Sequence, residues 1–186
     1  MKKLLRFVGL LIFAGVMFTG CQQNVDIETD KVELSDGTWD YTLTASFFTE
    51  KKWMTISGDV KITGTYEFNN GIGVLTNGLE TENVTYKFSE SASQDYIDNI
   101  NAENKAKGMI LLSVDGKTYV YKYEEAYDSN EFATAIVGEI NDMIKAQNAV
   151  VKTNKKKTEY QITFTETTDK EDYKDTTGYT LTLKKK

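Results

Sequence analysis

From Trp39 onward apolar side chains recur at every second position: Trp39, Tyr41, Leu43, Ala45 and Phe47, with Asp40, Thr42, Thr44 and Ser46 between them. A period of two with one polar face describes a strand whose other face packs on a core. The pattern returns in Val60, Ile62, Gly64, Tyr66 and Phe68; in Val84, Tyr86 and Phe88; in Tyr119, Tyr121 and Tyr123; in Tyr160, Ile162 and Phe164; and in Tyr179, Leu181 and Leu183. Residues 109–114 form an unbroken apolar run, which predicts a more deeply buried strand, or one whose outer face a helix covers. A further short strand fits residues 72–75, which brings the expected number to about eight. Between these runs lie Ser57-Gly58-Asp59, Asn69-Asn70-Gly71, Asn77-Gly78 and Asp115-Gly116, all with turn chemistry. Asp-Gly is the strongest hairpin signal among them, because a type I′ turn needs positive φ at both central residues. Consecutive strands are therefore expected to be antiparallel neighbours.

Two stretches leave the period of two. Residues 91–107 open on Ser91-Ala92-Ser93-Gln94, carry Tyr96, Ile97 and Ile100 on one helical face and end at Gly108, as a short amphipathic helix would. Residues 128–151 carry Phe132, Ala133, Ile136, Val137, Ile140, Met143 and Ile144 at the helical period. Asp128 as N-cap with Glu131 three residues on predicts where that helix starts. Its polar face offers Glu131, Glu139, Asn141, Asp142 and Lys145, without the Lys/Arg bias of a membrane-surface helix, so the stripe is expected to lie over the sheet core.

The N-terminus follows a different logic. Lys2, Lys3 and Arg6 precede an uncharged apolar run at residues 7–18, the arrangement of a secretory signal peptide. The run has 12 residues, too few for a spanning helix, which needs about 20. It ends Phe18-Thr19-Gly20-Cys21, which resembles the lipobox of bacterial lipoproteins, where the Cys is lipidated and becomes the new N-terminus. Cys21 is the only Cys in the chain, so an internal disulfide is excluded and the fold must rest on its core. The resemblance implies a signal peptide at residues 1–20, a lipidated Cys21 with a flexible tether at residues 21–36, and one β domain at residues 37–186. It also implies export and a lipid anchor in the cell envelope, with outer-membrane or cell-surface placement favoured by Gln22 and Gln23 after the Cys.

Composition narrows the chemistry. The charge of −6 becomes −9 once Lys2, Lys3 and Arg6 are removed with residues 1–20, which argues against nucleic acid as a partner. The chain has no His and no Pro, and its single Arg is Arg6. Ser-His-Asp and Cys-His machinery, His-ligated metals and an Arg fork for phosphate are thereby excluded from the domain. The carboxylate groups Glu80 and Glu82, Glu124 and Glu125, and Asp169, Glu171, Asp172 and Asp175 read as solvated turns or loops. No enzyme, cofactor or metal is expected. Lys155, Lys156 and Lys157 read as a polar linker, and Lys184, Lys185 and Lys186 as a solvated C-terminus.

One local motif points to a family. Asp36-Gly37-Thr38-Trp39-Asp40-Tyr41, opening an eight-strand antiparallel pattern, resembles the Gly-x-Trp signature of lipocalins. The resemblance implies a mainly β fold with two helices: an antiparallel, lipocalin-like (calycin-type) β-barrel of about eight strands. In that family the Trp plugs the closed end and a small apolar molecule binds in the other. Gly37 and Trp39 are then structural, with a lysine among residues 184–186 in the place of the family's Arg. Tyr41, Tyr66, Tyr86, Tyr119, Tyr121, Tyr123 and Phe164 are the candidate cavity wall, although Tyr119, Tyr121 and Tyr123 read more readily as core. The expected function is binding of a small apolar or amphipathic ligand. The alternative is a structural or surface-interaction lipoprotein with a filled core. The alternative fold is an open antiparallel sheet packed on the long helix, and pairing of the Trp39 strand with the Tyr179 strand is the expected mark of closure.

Overall fold

The long alternating stretches become long strands. A computed structural model describes residues 27–128, 133–134 and 136–186. Its elements are β1 (Ile27–Thr29), β2 (Gly37–Lys51), β3 (Met54–Asn69), β4 (Ile72–Phe88), α1 (Gln94–Ala106), β5 (Ile110–Asp115), β6 (Thr118–Asp128), β7 (Ala133–Thr134), α2 (Ile136–Gln147), β8 (Val150–Thr153), β9 (Glu159–Lys170) and β10 (Tyr173–Lys185). All pairings are antiparallel, in the order β1-β8-β9-β10-β2-β3-β4-β6-β5, with β7 also on β4. The fold is mainly β, as the alternation predicts.

The register carries the inward face across the sheet. Leu43 lies opposite Leu181 on one side and Ile62 on the other, and Leu181 lies opposite Ile162. All four are buried, together with Trp39, Tyr41, Tyr66, Phe68 and Leu183, and α2 adds Ile140 and Ile144 to the same core.

The sheet does not close into a barrel. β2 and β10 pair along their length, so the expected closing contact exists, but it lies in the middle of the sheet. The two ends, β1 and β5, are edges. Helix α2 touches both β4 and β9, and its apolar stripe covers inner-face area that closing strands would otherwise have to bury. An open sheet packed on a helix is the arrangement found.

Several local expectations are corrected. Helix α2 starts at Ile136, because Asp128 belongs to β6, opposite Asn77; Glu131 and Phe132 lie outside the described residues. Helix α1 is capped by Ser93, whose hydroxyl accepts the Tyr96 N–H at 3.3 Å, and not by Ser91. β5 is exposed at every position: its apolar run marks a sheet edge and not a buried strand. Asn77-Gly78 and Ser57-Gly58 are not turns but strand positions. A Cβ on Gly64, opposite Gly78, would stand 2.2 Å from the Asn77 carbonyl oxygen and 2.5 Å from the Tyr41 ring. A Cβ on Gly58 would meet the Phe47 ring at 2.6 Å. These glycines let a ring lie flat on the sheet, which the sequence records only as missing side chains.

The segment expected to be a tether is docked from residue 27 onward. β1 pairs with β8, Val32 is buried, and its N–H donates to Asn141 Oδ1 at 2.9 Å. Residues 1–26, and with them the signal-peptide reading and Cys21, lie outside the described residues.

Candidate functional site

Trp39 sits at one end of the inner face, fully buried, with its indole N–H donating to the Ser35 carbonyl at 2.9 Å and its ring 6.2 Å from that of Tyr160. Lys185, opposite Trp39 in the register, donates to Ser35 Oγ and the Asp36 carbonyl, and Lys186 pairs with Asp40. The C-terminal lysines therefore close this end of the core and are not merely solvated. Gly37, at φ +123, turns the chain into β2.

Next to Trp39 on the same face, β2, β3, β9 and β10 and helix α2 enclose a cavity of about 490 Å³. The floor is Tyr41, Leu43, Ile62, Tyr66, Phe164, Leu181 and Leu183; the roof is Ile136, Glu139, Ile140, Met143 and Gln147, with Asp142 beside them. The roof positions are three or four apart and therefore share one helix face. The volume lies in the range of about 300–1,000 Å³ typical of small-molecule sites, and the walls are mostly apolar.

Two polar features break the apolar lining. The Tyr41 hydroxyl is buried and has no hydrogen-bond partner, one of two such side-chain groups among the described residues. Its ring centroid stands 4.6 Å from that of Tyr66. Burial raises the pKa of both phenols, and for Tyr66 the negative charge of Glu139 adds to that effect. Glu139 and Asp142 are themselves exposed, so the negative potential lies at the rim. Among the described residues no Lys or Arg lines the cavity.

The structure divides the seven aromatic candidates. Tyr41, Tyr66 and Phe164 line the cavity. Tyr86, Tyr119, Tyr121 and Tyr123 do not: β6 lies beyond β4, away from β9 and β10, and Tyr86 and Tyr121 meet helix α1 instead. The Tyr86 hydroxyl donates to Asn104 Oδ1 at 3.0 Å, Tyr121 donates to Asn101, and Tyr119 packs edge-on against Phe88. Tyr123 donates to Glu125. Tyr86 and Tyr119 pack against a second cluster built on Met54, Phe88, Ala92 and Ile97.

A smaller hollow of about 350 Å³ lies further along the inner face, between Phe47, Thr49, Val60, Glu82, Tyr173, Asp175 and Thr177. The stacked pair Phe164–Tyr179, with centroids 4.1 Å apart, stands between the two spaces in the strand register. Glu80 and Glu82, expected in a solvated turn, are inward positions of β4. Glu80 is buried, and Glu82 is held above the usual carboxylate range by burial first and Glu80 second. Asp175, on β10, accepts from the Thr49 hydroxyl of β2 and the Thr177 hydroxyl of its own strand. Among the described residues no three His, Cys, Asp or Glu side chains are placed to hold a metal ion.

Sequence reasoning passed over Leu43, Ile62, Leu181 and Leu183 as wall residues, although their alternation marks them as inward. Nothing in the sequence distinguishes an inward residue beside a void from one in filled core. Comparison with known proteins finds no match among family models, curated proteins or solved structures.

Proposed function

We propose that this chain is a lipid-anchored envelope protein that binds a small apolar or amphipathic molecule between its curled sheet and helix α2. The observation that carries the reading is the cavity itself: about 490 Å³ walled mostly by apolar side chains, Leu43, Ile62, Leu181 and Leu183 below and Ile136, Ile140 and Met143 above, a volume and lining typical of small-molecule sites. The lipocalin resemblance at Gly37 and Trp39 points to the same use, with the ligand held under a helix instead of within a closed barrel. The lack of His and of catalytic motifs favours binding over catalysis. The anchor rests on the sequence Phe18-Thr19-Gly20-Cys21.

The test uses full-length Cys21→Ser protein and the neutral fluorophore N-phenyl-1-naphthylamine. Saturable enhancement of fluorescence in the wild-type cavity, weakened by Leu43→Trp or Met143→Trp, supports the reading; no saturable signal overturns it. Export of Cys21→Ser should yield protein that partitions into the aqueous phase of a detergent split, because one thiol carries the whole anchor. Unchanged partitioning into detergent would mean another anchor.

A second reading, contact with a protein, is favoured by β5. Ile110, Leu111, Leu112 and Val114 are all about half exposed or more, on a strand with one edge free, and such an edge is a template for strand addition. Leu112→Lys should abolish any partner captured through that edge and leave fluorophore binding intact.

A further inference from the structure

We propose that the molecule bound under α2 is a cationic amphiphile, an apolar tail ending in an ammonium group, and not an anionic one such as a fatty acid. The inference rests on the binding reading above and adds the sign of the ligand's charge. The lining is one-sided: among the described residues its charged members are Glu139 and Asp142, both on α2, and no cation stands with them. Asp142 has a neighbour in Lys145 at 3.5 Å, but that pair is solvent-exposed and Lys145 is outside the lining. Glu139 has no ion-pair partner among the described residues, and its field reaches the buried Tyr66 phenol.

The walls suit the same charge. Tyr41, Tyr66 and Phe164 offer ring faces, and a ring face attracts an ammonium group within about 6 Å. A carboxylate would meet neither a guanidinium nor an ammonium here and would approach two like charges. The tail has Leu43, Ile62, Leu181 and Leu183 to cover it, four apolar side chains from β2, β3 and β10.

The experiment displaces N-phenyl-1-naphthylamine from the full-length Cys21→Ser protein with dodecylammonium, dodecanol and dodecanoate, each below its micelle concentration, at pH 7.5 and low salt. Dodecylammonium should displace the fluorophore at a concentration roughly tenfold below dodecanoate, with dodecanol between, a factor that one or two exposed charge contacts supply. In Glu139→Gln/Asp142→Asn the three should converge to within about twofold, while the general acidity of the protein is otherwise retained. Equal or tighter binding of dodecanoate, or a preference that survives the double substitution, overturns the charge assignment while leaving the cavity a binding site. Failure of the neutral fluorophore itself to bind removes the site, and this inference with it.

Discussion

Two rows of tyrosines face two helices across one sheet, and they end differently. Under α1, the Tyr86 and Tyr121 hydroxyls find Asn104 and Asn101, side chains three apart on the covering helix. Under α2, the covering face is Ile136, Ile140 and Met143, and the Tyr41 hydroxyl finds nothing. The same residue type on the same face is closed core in one place and cavity wall in the other. What separates them is whether a polar side chain of the covering helix reaches the hydroxyl: Asn101 and Asn104 do so on α1, whereas among the described residues no side chain meets the Tyr41 hydroxyl. Since an unpaired buried hydroxyl is costly and a paired one contributes about 1 kcal/mol, the two regions should respond oppositely to loss of the oxygen.

The largest effect should come from breaking the core that both regions share. Trp39→Ala should cost about 3–5 kcal/mol in urea unfolding, the usual range for truncating a buried Trp, and a large part of a single domain's stability. Retained stability, or ready acrylamide quenching of Trp39 fluorescence in a Trp53→Phe variant, would show that the buried indole is not what holds this end.

The next prediction tests the contrast directly. Tyr86→Phe removes the donor from Asn104 Oδ1 and should cost about 1–3 kcal/mol, because it strands a buried acceptor. Tyr41→Phe removes an unpaired hydroxyl and should be neutral or slightly stabilising in the ligand-free protein. Equal losses in urea midpoint for the two would erase the distinction between the regions.

A smaller effect should follow from Glu82, an inward carboxyl whose proton affinity is raised in the folded state by burial and by Glu80. The folded protein holds this proton more tightly than the unfolded chain, so stability falls as pH rises from the ordinary Glu range through the folded value. Glu82→Gln should flatten that decline and raise the urea midpoint at pH 7. A lower midpoint would mean the ionised carboxylate is needed.

The smallest concerns the docked segment before β2. Lys157, then Lys31, draw the Glu33 carboxyl down from 4.5 to about 2. Its contribution is therefore present above pH 4.5 and lost as pH falls towards 2. The groups are exposed and salt-screened, so Glu33→Gln should change the acid limb of the stability curve only slightly, and less at high salt. A large change would give this exposed pair a weight that Val32, buried beside it in sequence, is expected to carry.

Alternation by itself determined the long antiparallel strands, which positions face inward, and the burial of Trp39, because a period of two leaves a strand one way to hide its apolar side chains. The helical period located α2 and α1 to within a few residues. Their starts were less legible: Asp128 and Ser91 both have capping chemistry, but strand pairing claimed the first and Ser93 stood nearer the first free N–H groups. Gly58 and Gly78 read as turns because a missing side chain looks the same in sequence whether the backbone bends or the strand runs on. Tertiary structure alone decided that β1 and β5 are edges, that β2–β10 pairing falls mid-sheet, and that α2 and not further strands covers the inner face. It also decided where space remains under that cover. These outcomes depend on which distant surfaces meet and how well they fill the volume between them, and neither quantity is a property of any local stretch of the chain.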